Sequence, residues 1–174
     1  MYGAFPFKIL VSLRDRLVQY KIVHRVYLTP ARVHRMRSSL SPERWRCDHA
    51  QGDYIHIFWS CPVITVFWSQ VFLEVNELFS ISIVPSPRIC LLGLVEDLVP
   101  RVAERTLLGL LLFYARKSII LCWKHKAPPS LDLWKTLVNN VIPLYRDTYT
   151  HRGWSKYDRV WSKWLAEPST AAAD

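Results

Sequence analysis

The stretch AERTLLGLLLFYARKSIILCWK, residues 103–124, decides the fold class. It is apolar on nearly every side of a helical projection, the pattern of a buried helix rather than an amphipathic surface one. Thr106–Trp123 is long enough to suggest a membrane span, but Arg116 and Lys117 lie within it. Each charge near a span centre costs about 2.5–3.5 kcal/mol on insertion scales, so the reading is a central helix of a packed domain and not a span.

Working outward, the flanks read as helices. Ala127-Pro128-Pro129 ends the central helix, and Ser130 is placed to cap the next one. Trp134, Leu137, Val138, Val141, Leu144 and Tyr145 form its expected core face, with Pro143 a candidate kink. Upstream, Pro62 follows Ser60 and Cys61 as a helix start, and Val63, Phe67, Val71, Val75 and Leu78 make one stripe with Ile64 and Phe72 beside it. Ser80–Pro87 reads as extended or looped. Near the N-terminus, Leu10–Tyr27 reads as a helix with Leu10, Leu13, Leu17, Tyr20 and His24 at helical spacing. Thr29 and Pro30 then cap and open a shorter helix reaching about Arg37. The fold class is therefore mainly α: several packed helices with an irregular, knuckle-like Cys/His segment near 43–61. The expected divisions are a basic helical segment 1–46, the knuckle-like segment 43–61, a helical bundle 62–166 and a frayed tail 167–174.

Composition narrows the function. Of 174 residues, 51% are hydrophobic and 13% aromatic, so the chain builds a core and is not a disordered tail. The net charge is +9, which points to a polyanionic partner such as nucleic acid or an anionic surface. The bias is concentrated in 1–46, where ten basic side chains face only Asp15 and Glu43. The four cysteines, Cys47, Cys61, Cys90 and Cys122, lack the spacing of a small disulfide framework and follow no secretory leader pattern, so reduced thiols and an intracellular location, nuclear or cytoplasmic, are expected.

The stretch that bears chemistry is Arg44-Trp45-Arg46-Cys47, then His56, then Cys61. Zinc takes four thiolate or imidazole ligands in a tetrahedron. His56 and Cys61, five apart, can converge if a helix begins between them, and Cys47 supplies a third donor. A Cys-x-x-Cys knuckle would need its first cysteine at position 44, where Arg44 stands, and a guanidinium cannot ligate a metal. The alternative is that Cys47 and Cys61 are small buried hydrophobes and His56 a satisfied core histidine. For nucleic acid, Arg25, Arg32, Arg35 and Arg37 recur along the second helix and its approach, with Arg46 and Trp45 nearby. Arginines sharing a face neutralise phosphates, and Trp45, Tyr54 or Trp59 would stack unpaired bases if exposed. The opposing reading makes the arginines a solvated face and the aromatics core.

Several segments together carry a resemblance. They are YKIVHRVYLTPARVHRM (20–36), Cys47, DYIHIFWSCPVI (53–64), Phe67-Trp68, LLG (91–93) and ARKSIILCWK (115–124). In order and spacing they resemble the C-terminal region of the reverse-transcriptase polyprotein of vertebrate LINE-type (non-LTR) retrotransposons, over about residues 9–165. The resemblance implies a Cys-Cys-His-Cys motif whose last three ligands match Cys47, His56 and Cys61, with Arg44 in place of the first. It also implies RNA binding alongside the polymerase part of the parent polyprotein. No polymerase-type aspartate pair and no endonuclease-type cluster of acids and histidines is visible, so the expectation is a non-catalytic RNA-binding remnant of such a polyprotein. The competing expectation is a helical interaction module with no retained activity, which would expose an apolar patch. A hydrolase built on a three-ligand zinc ranks last, since Glu43 is the only glutamate near enough to act as a base.

Overall fold

A computed structural model describes residues 8–43, 46–47, 51–150 and 154–166. Among them the chain is mainly helical and contains no strand: seven α-helices and one π-helical turn pack around a shared core. The helices are α1 Leu13–Val23, α2 Pro30–Met36, α3 Pro62–Phe79, α4 Pro87–Leu92, α5 Val102–Leu121, α6 Leu131–Thr150 and α7 Trp154–Ala166. The π-turn, His56–Ser60, precedes α3.

The central helix α5 is buried without interruption from Thr106 to Arg116. It ends at Leu121, a turn short of Lys124. Helices α3, α4, α6 and α7 pack on it. Large aromatics fill the spaces, and three of them place their polar atoms on backbone carbonyls, because a buried N–H or O–H without a partner costs about 1–3 kcal/mol; the buried Trp161 Nε1 has no such partner among the described residues. Trp134 Nε1 donates to Leu111 O at 3.0 Å and Trp68 Nε1 to Phe58 O at 2.8 Å. Tyr145 Oη donates to Ile9 O at 2.6 Å, tying the N-terminal segment to α6.

Local signals set most helix starts. The side chains of Thr29, Ser86 and Ser130 accept from the backbone N–H of Arg32, Ile89 and Leu133, and Pro30, Pro62 and Pro87 occupy first-turn positions. Ser80 closes α3 in the left-handed region at φ 54°. The short α4 was not expected from the sequence. The α3 face is rotated from the expected stripe: Ile64, Trp68, Phe72 and Phe79 are buried with Phe67, Val71 and Val75, while Val63 and Leu78 are only half-buried. On α6, Trp134, Val138, Val141 and Tyr145 are buried as expected, but Leu144 is exposed. The tail 167–174 lies outside the described residues.

The largest departure is α1, which starts at Leu13 rather than Leu10, ends at Val23, and is turned inside out. Of its expected core side chains, Leu10, now ahead of the helix, is buried as expected, but Leu13, Leu17 and Tyr20 are exposed, and so is His24, just past its end. Asp15, Gln19 and Ile22 are buried instead. The cause lies on α5. Lys117 Nζ sits 2.6 Å from Asp15 Oδ1, and Tyr114 Oη donates to Asp15 Oδ2 at 2.8 Å. Arg116 donates to Gln19 Oε1 at 3.1 Å and to Cys90 O at 2.9 Å. A buried helix carrying an arginine and a lysine must find acceptors for them, and the polar stripe of α1 supplies them.

Candidate functional site

Two features stand side by side: a cluster of thiol and imidazole groups, and an arginine-lined cleft.

The cluster is made by the π-turn. Cys61 N–H donates to His56 O at 3.0 Å, the i→i+5 bond of such a turn, so residues five apart come round to the same side. His56 is fixed from below by its own N–H, which donates to Asp53 Oδ1 at 2.7 Å. Cys61 then serves as the residue before Pro62, at the start of α3. Cys47 reaches in from the preceding segment, its Sγ 2.9 Å from His56 Nε2. The donor atoms of Cys47, His56 and Cys61 all lie within 4.8 Å of one another, with His56 and Cys61 buried and Cys47 half-buried. Ligands around a tetrahedral zinc, at about 2.3 Å for sulfur and about 2.0 Å for nitrogen, stand roughly 3.5–3.8 Å apart. The three side chains therefore lie close enough to hold one metal ion. Position 44, where the sequence motif would place a fourth ligand, is outside the described residues, as is Trp45.

Arg46 is drawn into the interior and so is not an open phosphate contact. Its residue is 7% exposed, and its guanidinium donates to Cys122 O at 2.5 Å and His125 O at 3.1 Å. These carbonyls lie just past the end of α5, at the negative end of its dipole; the Cys122 carbonyl also accepts from His125 N–H at 3.0 Å. Burial pulls the pKa of this guanidinium below its ordinary value, and the neighbouring Cys61, Cys122 and Cys47 push it back up. No local pattern signals this, because the acceptors lie 76 and 79 residues along the chain.

The cleft, of about 610 Å³, is lined by Arg25, Arg32 and Arg35 with Tyr27, Thr29, Met36, Asp53, Tyr54 and Ile55. It forms where the loop before the π-turn closes on α2. Gly52 O accepts from Ala31 N at 3.3 Å and Gly52 N donates to Pro42 O at 2.8 Å. A Cβ on Gly52 would stand 2.9 Å from Pro30 Cγ, so only glycine allows this approach. Arg25 adopts φ 52° just past α1, and its guanidinium lies 5.8 Å from the Tyr54 ring centroid. Arg32 donates to Arg25 O at 3.0 Å, coupling the two cations through the backbone. Among the described residues, no ion pair involves Arg25, Arg32, Arg35 or Arg37. Arg37 is exposed at the end of α2 but does not line the cleft. Tyr27 and Tyr54 are half-buried, and desolvation pushes both hydroxyls up to about 12, with Arg116 and Arg25 opposing the shift at Tyr54.

Asp53 is the site residue that sequence reasoning missed. Gly52-Asp53 reads as a turn, and nothing in it indicates that the carboxylate enters an arginine cleft. No protein-family model matches the chain. No helix among the described residues is long and apolar enough to cross a membrane.

Proposed function

We propose that this chain is a non-catalytic, nucleic-acid-binding helical module, taking RNA or another single strand in the cleft between α2 and the π-turn. The observation that carries the reading is the cleft itself: three arginines that make no ion pair line one groove together with two tyrosines. Guanidinium groups left without carboxylates are the electrostatic footprint of a phosphate partner. A groove with tyrosines in its walls suits a flexible strand with unstacked bases better than a duplex. The resemblance to the C-terminal region of a LINE-type reverse-transcriptase polyprotein supports the same reading and adds the parent polymerase as a partner.

Zinc is the metal we propose for the cluster, since thiolate and imidazole donors select it over harder cations. Cys47, His56 and Cys61 would hold it only weakly, because three donors leave the tetrahedron open, and bound there it would supply a cross-link between the loop and α3. Asp53 joins the two features directly: it caps His56 and lines the cleft.

The test is filter binding of a uridine-rich single strand over a salt series. Three phosphate contacts give a slope of roughly −2 in log affinity against log salt, or about twenty-fold loss between about 50 and about 200 mM. Joint replacement of Arg25, Arg32 and Arg35 by alanine is expected to remove most of that slope. Affinity that ignores salt, or a slope unchanged in the triple variant, rejects the reading.

One observation favours a second role. Leu13, Leu17 and Tyr20 form an exposed apolar ridge on α1, 78%, 53% and 50% accessible, with Arg14, Arg16 and Lys21 exposed on its flanks. Such a ridge fits an interaction module that packs on a partner. Sedimentation that is independent of concentration, and identical in a Leu13→Ser/Leu17→Ser variant, would count against self-association through it.

A further inference from the structure

The cleft contains one group that phosphate binding alone does not explain. Asp53 is exposed and lines both the arginine cleft and an adjoining hollow of about 470 Å³ that it shares with Arg35, His34 and Gln51. A carboxylate beside a phosphate site repels the phosphate. No ion pair with Arg25, Arg32 or Arg35 neutralises it. Its orientation is nevertheless fixed: Oδ1 accepts from His56 N–H at 2.7 Å, and its own carbonyl accepts from Ile57 N–H at 3.1 Å. An ionised carboxylate only accepts, through two oxygens and about four lone pairs. After the His56 bond, Oδ2 makes no hydrogen bond to the described residues and Oδ1 retains one lone pair.

We propose that Asp53 is a base-reading residue, and that the cleft selects an unpaired guanine. This rests on the nucleic-acid reading above and specifies it. Among the four RNA bases, only guanine presents two adjacent donors, N1–H and N2–H, on its Watson–Crick edge with room for both carboxylate oxygens. Adenine and cytosine place a ring acceptor beside their single amino group. Uracil flanks its one N–H with two carbonyls. Each of these would set a lone pair against the carboxylate. The arginines then hold the flanking phosphates, and the Arg25 guanidinium, already lying along the Tyr54 ring, offers a planar cation against which a base can stack.

Fluorescence anisotropy of the full chain with nine-nucleotide uridine RNAs, carrying guanosine, adenosine, cytidine or inosine at the centre, tests this. The guanosine strand is expected to bind about ten-fold more tightly than all-uridine RNA, within the range of a bidentate base contact. Inosine, lacking the N2 amino group, is expected to fall between them. Asp53→Asn keeps an oxygen for the His56 cap and is expected to level the four strands. The inosine comparison probes the same contact without altering the protein, so misfolding of the variant would not mask the answer. Equal, salt-sensitive binding of all strands by the wild-type chain overturns guanine selection and leaves the nucleic-acid reading standing. Guanosine preference that persists in a folded Asp53→Asn variant removes Asp53 from the recognition. Absence of binding to every strand overturns both.

Discussion

Replacing Asp15 by alanine should damage this protein far more than replacing the leucine two positions on. Asp15 is 3% exposed and holds two donors, Tyr114 Oη at 2.8 Å and Lys117 Nζ at 2.6 Å. Tyr114 is 1% exposed, so its hydroxyl cannot turn to water once the carboxylate is gone. That orphaned donor costs about 1–3 kcal/mol. The Lys117 side chain is 20% exposed and partly rehydrates, so its share is well below the roughly 3–5 kcal/mol of breaking a fully buried pair, about 1 kcal/mol. Together the loss is about 3 kcal/mol, a large part of the roughly 5–15 kcal/mol that holds a domain folded. Leu17 is 53% exposed, and Leu17→Ser should change stability by no more than about 0.5 kcal/mol. Urea unfolding followed by tryptophan fluorescence reads both variants through their midpoints. A Leu17→Ser variant less stable than Asp15→Ala would show that α1 seats its leucines inward, and the buried polar seam argued above would fall. Within a cycle, Lys117→Ala added to Asp15→Ala should cost less than it does alone, by about 1 kcal/mol, if the two share one interaction.

Three further outcomes are expected. Cobalt added to the chain should give tetrahedral thiolate bands at stoichiometric metal only after Arg44→Cys; strong bands in the unaltered chain would mean that another side chain completes the tetrahedron. Arg46→Ala should lower stability by about 2 kcal/mol, because it strips the buried Cys122 carbonyl of its charged donor, yet should change RNA affinity less than two-fold; a larger fall in affinity would return Arg46 to the binding surface. Tyr27 and Tyr54 should form tyrosinate only near pH 12, seen in the ultraviolet difference spectrum. Since the unfolded chain releases those protons near pH 10, stability should be unaffected by them below that point and fall as pH rises from about 10 towards 12. Ordinary titration of both hydroxyls near pH 10 would contradict their desolvation.

The candidate site was partly readable in advance. Cys47, His56 and Cys61 converge because the interval between the last two is five, and an i→i+5 turn is one way for that interval to bring side chains together. Three of the arginines singled out by spacing, Arg25, Arg32 and Arg35, share the cleft, since they lie on or next to one short helix. Arg46 looked equivalent in sequence and is not, because its acceptors are the carbonyls at the end of α5, 76 and 79 residues away. Asp53 entered the cleft only through the contact of Gly52 with Pro30.

By itself the sequence determined the helical class and most of the helix starts. Proline geometry, hydroxyl caps and a run of apolar residues on every face act over a few positions and need no distant partner. The tertiary structure decided which face of each helix is desolvated. On α1 a leucine stripe and a polar stripe compete, and the leucines would win if the neighbour were apolar. The neighbour is instead the Tyr114, Arg116 and Lys117 segment of α5, whose donors must be satisfied once buried, so Asp15 and Gln19 go inward and the leucines face water. Local periodicity carries no information about donors a hundred residues away, and the cost of leaving them unpaired exceeds the gain from hiding two leucines.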